Sequence, residues 1–374
     1  MNSIFSHLKR LDWVLLAGVV LVFTLGLLIF YGGTSDHDLF YRQLLFGGAG
    51  FTLIIVLSFF DWRILKENSF LMLMLYSAGL AALFLLFVVA ERTRGVISWF
   101  KFGIFNFEPV ELVKIILVAA LAKYFSARFV ELHKWKNIFV SGFYVALPAG
   151  LVLTHPDLGS AIILGTIWLG MILVAGIKTR QFLWLILVFV LALGWMWNYV
   201  LADYQKDRVT NFLYPESDPL GGAYQSRQSM IAVASGGFWG KGIGQGTQIR
   251  LGFLPEYQTD FIFAAIAEEL GLAGVIFLLW GWFLIFFRLY RGVVAAPDNF
   301  SKLFIAGFMI ILGAHFAVNI GANLGFLPIT GLPLPFVSYG GSSFISLSLG
   351  LGLTQAIKAR AYRKSFGAGE VFVD

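Results

Sequence analysis

Asp260 stands where a glycine-rich loop enters an apolar stretch, in Leu254-Pro-Glu-Tyr-Gln-Thr-Asp-Phe-Ile-Phe-Ala-Ala-Ile-Ala-Glu-Glu-Leu-Gly271. A carboxylate at the lip of a membrane helix meets water-borne and lipid-borne molecules alike. There it can take a proton from a hydroxyl as a general base. The helix dipole keeps an acid at that end ionised, as a base requires, and the same placement also suits an acid that only caps the helix.

A second constellation is Phe107-Glu-Pro-Val-Glu-Leu-Val-Lys114. Pro109 suits a first helical turn, where its missing N–H costs nothing. Glu111 and Lys114 are three apart, so they share a helix face and can pair. Lys114 lies roughly 9 Å inside the helix at 1.5 Å per residue, a depth at which a charge faces a cavity or a partner. Two readings stay open: a structural ion pair between helices, or a polar pocket in which Lys114 meets an anionic group. Ahead of that helix, Trp99 with Arg92, Arg94 and Lys101 forms either an ordinary interfacial girdle or a cationic, aromatic shelf at headgroup depth.

His155-Pro-Asp-Leu-Gly159 is a tight connection in which Asp157 either N-caps the next helix or aims its carboxylate into a shared cavity. Between residues 203 and 258 lie Pro215-Glu-Ser-Asp-Pro-Leu-Gly-Gly222, then Gln225 and Gln228, then Gly236-Gly-Phe-Trp-Gly-Lys-Gly-Ile-Gly-Gln-Gly246 with Lys241 at its centre. Glycine N–H groups in such turns can cradle a diphosphate. The segment is no P-loop, because no Gly-Lys-Ser/Thr opens a helix. A flexible surface loop is the plainer alternative, although a loop this long is rarely a mere connector.

These residues need elements to hold them. The 374-residue chain is 59% hydrophobic and only 13% charged, against about 25% charged for a soluble domain. Its apolar surface needs lipid as solvent. The net charge of +6 does not point to nucleic acid, because the basic residues gather on one side of the membrane. With no cysteine there is no disulfide and no thiolate nucleophile, and the five histidines show no ligand spacing for zinc.

Spans of about 20 apolar residues fall near 12–31, 43–60, 69–90, 108–126, 138–154, 157–176, 181–202, 260–287, 303–327 and 336–356. The expected fold is therefore all-α: one integral membrane domain, 1–374, of about ten transmembrane helices with a large extracytoplasmic loop, 203–258, between helices 7 and 8. The first span is read as a retained anchor. Tails and loops on the N-terminal side carry 17 Lys and Arg, and the other side carries nine, five of them in the long loop. That bias expects both termini in the cytoplasm and Asp260 at the outer surface. The apolar run from Phe261 to Phe287 spans roughly 40 Å, longer than a ~30 Å core, so the eighth helix must tilt or project outward.

At an outer-leaflet polyprenyl diphosphate sugar, one carboxylate is enough for glycosyl transfer. The diphosphate leaves readily once cations neutralise it, whereas a glycosidase needs two carboxylates. A magnesium or manganese ion could share that charge, and no ligand cluster identifies one.

At these residues the chain resembles the SEDS family (shape, elongation, division and sporulation) over nearly its whole length. The resemblance rests on Pro215-Glu-Ser-Asp-Pro-Leu-Gly221, on Leu254-Pro-Glu-Tyr-Gln-Thr-Asp-Phe-Ile-Phe263 with Glu268-Glu-Leu-Gly271, and on Gly331-Leu-Pro-Leu-Pro-Phe-Val-Ser-Tyr-Gly-Gly-Ser-Ser343. The His155-Pro-Asp-Leu-Gly159 form is more similar to the elongation branch than to the division branch. The resemblance implies polymerisation of lipid II: the 4-OH of its N-acetylglucosamine attacks the lipid-linked nascent glycan strand with inversion, giving a β-1,4 link. It implies Asp260 as the essential acid, with Glu111, Lys114, Trp99 and Asp157 as matched site residues. It also implies a class B penicillin-binding protein (transpeptidase) and the elongation machinery as partners, at the bacterial cytoplasmic membrane.

The family commonly reads Gln-Pro-Ser-Glu where this chain has Glu108-Pro-Val-Glu111, and Gly-Ser-Gly-Gly where it has Ala234-Ser-Gly-Gly237. Ser338, Ser342 and Ser343 read as packing and turn residues, since no histidine base accompanies them. Two rival functions remain: a lipid II flippase or transporter, and a non-catalytic scaffold for a crosslinking enzyme.

Overall fold

In the computed structural model the described residues are 2–33, 38–89, 99–102, 105–131, 134–155, 157–199, 201–214, 216 and 223–367. Among the described residues ten long helices occupy the ten expected positions. In chain order they are α1 Trp13–Gly33, α2 Asp38–Ser58, α3 Ser69–Val89, α4 Pro109–Ala127, α5 Trp135–Thr154, α6 Leu158–Val174 and α7 Thr179–Tyr199, then α8 Ile262–Val294, α9 Asn299–Asn323 and α10 Gly341–Gly367. Seven of them are long and apolar enough to cross a membrane on that ground alone. The other three are α4, which carries Glu111, Lys114 and Lys123, the 17-residue α6, and α10. A short antiparallel hairpin, β1 Phe100–Phe102 with β2 Phe105–Phe107, precedes α4 and pairs Phe100 with Phe107; the sequence reading did not expect it.

α10 lies along α2, and α8 along α1. Small residues bring the second pair close: a Cβ added at Gly281 would stand 2.6 Å from Val22, and one at Gly18 would stand 3.2 Å from the Gly281 carbonyl. Without a hydrophobic drive between helices in lipid, such close packing supplies the attraction. α7 is the opposite case. Leu183, Leu187, Val190, Leu191 and Trp195 are all exposed, so this apolar helix packs little against the other described residues.

On the N-terminal face, a buried carboxylate ties three helices together. Asp12, just before α1, accepts two bonds from Arg288 Nε of α8, at 2.8 and 2.9 Å, and pairs with Lys358 of α10. Gln355 holds the Asp12 backbone at both its N–H and its carbonyl. Burial alone would push the Asp12 carboxyl up. The Arg288 hydrogen bonds and the Lys358 charge outweigh it and hold the group below the usual carboxylate range.

The opposite face carries the long loop, which contains helices Asp203–Leu213, Tyr224–Ser235 and Thr247–Arg250. It grips α8 where that helix breaks. Gly271 adopts φ 66°, ψ −163°, a conformation open essentially to glycine alone. The break frees backbone groups on either side, and the glycine-rich segment satisfies them. Lys241 and Gly242 N–H donate to the Glu268 and Glu269 carbonyls at 3.0 Å each, while Leu272 and Ala273 N–H donate to the Gly237 and Phe238 carbonyls at 2.9 and 3.0 Å. This exchange leaves no room for a side chain: a Cβ at Gly271 would fall 2.2 Å from Gly240 N. The break sets off the loop end of α8, Ile262 to Leu270, as a separate outer segment clamped by loop backbone.

Candidate functional site

Asp260 lies two residues before α8, partly buried, in a turn rather than at the cap itself, which is Phe261. Its backbone is held from α9. Asn319 Nδ2 and Asn323 Nδ2 both donate to the Asp260 carbonyl, at 3.0 and 2.8 Å. Asn323 Oδ1 in turn accepts from Ala264 N–H in the first turn of α8, at 3.1 Å. The residues just before Asp260 are held from the segment leading into α10: Ser338 Oγ donates to the Thr259 carbonyl at 2.6 Å, and Tyr339 N–H to the Gln258 carbonyl at 2.8 Å. Ser338 thus serves the turn, as its type and surroundings suggest, and not as a nucleophile.

The same segment reaches the fourth helix. Ser342 Oγ accepts from Glu108 N–H at 2.9 Å. Trp99 Nε1 donates to Glu108 Oε2 at 3.2 Å, so Trp99 and α4 form one unit with the start of α10. Glu108 was read only as a departure from the family pattern; here its Oε2 anchors Trp99, a bond that a glutamine amide oxygen would accept as well.

Lys114 Nζ donates to Glu111 Oε1 at 2.8 Å, with side-chain exposures of 1% and 3%. An ion pair is seen, but within α4 rather than between helices. The pocket reading requires this pair to part, because the ammonium does not face open space. Its other neighbour is His315 Nε2 of α9, at 3.1 Å.

Asp157 caps α6, accepting from Ser160 N–H at 2.9 Å, and its charge also reaches Glu108, so both readings of that residue are compatible with its place. Beside it His155 is buried with its ring tilted 51° against that of Phe87, centroids 4.4 Å apart, and burial lowers its imidazole pKa.

Gln225 and Gln228 share a face of helix Tyr224–Ser235 and are partly buried. That helix joins the Asp260 support through Ser229 Oγ, which donates to the Asn323 carbonyl at 3.0 Å. Lys241 Nζ donates to Glu268 Oε1 at 2.7 Å and to Thr247 Oγ1 at 2.6 Å. Its first role is to clamp the outer segment of α8, and one ammonium proton remains for another acceptor. Arg92 and Arg94 lie outside the described residues, as does most of 215–222. Among the described residues no three His, Asp or Glu side chains converge as a metal site.

Sequence reading missed His315, Asn319 and Asn323. Their signal was present: three polar residues at i, i+4 and i+8 in an apolar span, one stripe along a helix face.

The comparisons agree with this architecture. Residues 6–363 match the cell cycle protein family of FtsW, RodA and SpoVE. Peptidoglycan glycosyltransferase MrdB of Escherichia coli (strain K12) is 39% identical over 265 residues, 71% of each chain. Stage V sporulation protein E of Bacillus subtilis (strain 168) is 33% identical over 355 residues, covering 91% of this chain and 95% of that one. Among solved structures, a chain of a peptidoglycan synthase complex that coordinates polymerization and crosslinking aligns with TM-score 0.81 at 33% identity, over 94% of this chain and 99% of that one. The rod shape determining protein RodA of Thermus thermophilus aligns with TM-score 0.71 at 31% identity, over 94% and 98%. With nearly every span and the whole 203–258 loop inside the matched region, the chain belongs to the FtsW/RodA/SpoVE family of polytopic membrane proteins, the SEDS family.

Proposed function

We propose that this protein is a peptidoglycan glycosyltransferase of the elongation type, polymerising lipid II on the outer face of the bacterial cytoplasmic membrane with both termini inside the cell. One observation carries the reading: the segment 332–342 bonds both to the Asp260 turn, through Ser338 and Tyr339, and to the start of α4, through Ser342. Asp260 and the start of α4, where Trp99 is hydrogen-bonded to Glu108, are thereby held by one stretch of backbone.

In the proposed reaction the Asp260 carboxylate accepts the proton of the 4-OH of an N-acetylglucosamine. The oxygen bonds to the anomeric carbon of the lipid-linked strand as the bond from that carbon to the diphosphate breaks, with inversion. Trp99 supplies a flat apolar face beside the sugars. Lys114, once its pair with Glu111 parts, and Lys241, through its remaining proton, are the candidate cations for the departing diphosphate. Gln225 and Gln228 are candidate sugar contacts. Asp157 holds the start of α6 through its cap on Ser160. If Mg2+ or Mn2+ joins, it shares the diphosphate charge, and every step above is assigned to side chains. Membership of the family and the likeness to a synthase complex support a class B penicillin-binding protein as partner.

The test is purified protein in detergent with lipid II, with and without that partner and a chelator. Detergent removes sidedness, so a flippase forms no glycan there and a polymerase does. Failure of the partnered protein to form glycan in any metal condition would reject the proposal.

A further inference from the structure

His315 is fully buried on α9, one turn before Asn319 and two before Asn323. Its two ring nitrogens face opposite demands. Lys114 Nζ, 3.1 Å from Nε2, has protons and no lone pair. The Pro333 carbonyl, 3.2 Å from Nδ1, has lone pairs and no proton. Only one state satisfies both: a neutral imidazole with the proton on Nδ1, donating to Pro333 while Nε2 accepts from Lys114. An imidazolium would set a second cation against the ammonium.

The backbone that His315 touches is the floor of the Asp260 turn. Three successive residues are gripped there. The Leu332 carbonyl accepts from Asn319 at 2.9 Å, the Pro333 carbonyl meets His315, and Leu334 N–H donates to Ser338 Oγ at 2.9 Å. Asn319 also holds the Asp260 carbonyl, and Ser338 the Thr259 carbonyl. Pro333 and Pro335 fix φ on either side of Leu334, so this stretch moves as a unit. The Glu111–Lys114 pair and Asp260 are thus joined through one imidazole and one stiff strand.

We propose that His315, as the neutral Nδ1–H tautomer, is a positioning residue for glycosyl transfer: it fixes the Lys114 ammonium relative to the Asp260 turn by bridging Lys114 to the Pro333 carbonyl. This rests on the glycosyltransferase reading above. Sequence alone does not suggest it, because the three partners lie far apart in the chain.

The test compares His315→Gln with His315→Leu in full-length protein, using lipid II polymerisation at matched thermal stability. A glutamine amide offers an oxygen to Lys114 and an N–H to Pro333, reproducing both ends of the bridge; leucine fills similar space and offers neither. The expected result is that H315Q keeps most of the turnover, while H315L falls about 10-fold or more below it, since the buried ammonium then keeps Glu111 but loses the acceptor that ties it to the Pro333 strand. A purely packing role predicts the reverse order, and H315L equal to or better than H315Q would overturn the proposal. Where H315L does not fold, 15N imidazole spectra of the wild type decide: the expected signature is a protonated Nδ1 and a bare Nε2 between about pH 6 and 8. An Nε2–H tautomer or an imidazolium in that range would overturn it as well. If wild-type protein with its partner forms no glycan while the spectra show the bridged tautomer, the glycosyltransferase reading fails and the bridge stands as structure alone.

Discussion

Asn323 and Asp260 lie 63 residues apart in sequence, yet the Asn323 side-chain amide donates to the Asp260 carbonyl at 2.8 Å. Asn319 shares that carbonyl from one turn earlier. A base held by its main chain has its position set by a rigid helix. Asn323→Ala should lower the turnover of lipid II about 10- to 100-fold, because a misplacement of the order of 1 Å suffices for such a loss. The check is polymerisation kinetics alongside a melting curve. Asn319→Leu should act in the same direction.

Asp260→Ala should remove polymerisation, by at least about 100-fold, while the protein still purifies as a single species and still binds its transpeptidase partner. Gel analysis of labelled glycan together with co-purification checks both halves. Near-wild-type product would remove Asp260 from the base role.

Charge burial separates two lysines. Lys114 pairs with Glu111 at 1% and 3% exposure, whereas Lys134 pairs with Glu131 at 53% and 56%. Lys114→Ala strands a buried carboxylate and should cost about 3–5 kcal/mol of stability, with activity lost in parallel. Lys134→Ala breaks only a solvated pair and should leave melting and activity nearly unchanged. Melting in detergent distinguishes the two, and equal behaviour would contradict the buried pair.

The Asp12 cluster predicts an acid limb in stability. Its carboxyl titrates lower in the folded protein than in the unfolded chain. Its contribution is therefore fully present above the ordinary carboxylate value, about pH 4, and is lost as pH falls through the lower folded value. The melting temperature of wild-type protein should drop more steeply below about pH 4 than that of Asp12→Asn, which starts lower and lacks this limb.

Gly271→Ala should destabilise the outer segment of α8. The conformation itself costs about 1–3 kcal/mol for a residue with a side chain, and the new Cβ would also collide with Gly240 N. Limited proteolysis of the 236–246 loop should accelerate in the variant, and an unchanged cleavage rate would show that the loop is held by something else.

The order and number of helices were readable from the chain, because about 20 apolar residues and a one-sided excess of Lys and Arg are properties of single segments. So was the expectation that the candidate residues start from one face. Trp99, Asp157, Asp260 and Ser338 all precede even-numbered helices, and alternation across a bilayer sends every such helix off from one face. The Asp157 cap follows from local geometry in the same way. What the tertiary structure decided is which polar group meets which. Lys114 meets His315 across 201 positions and Glu108 meets Ser342 across 234. Helical periodicity reports which residues share a face, but not which neighbour that face will find. Lys241 illustrates the limit: its charge was legible, whereas its use as a clamp on Glu268 depends on the break at Gly271, which exists only once loop backbone replaces the missing helical hydrogen bonds.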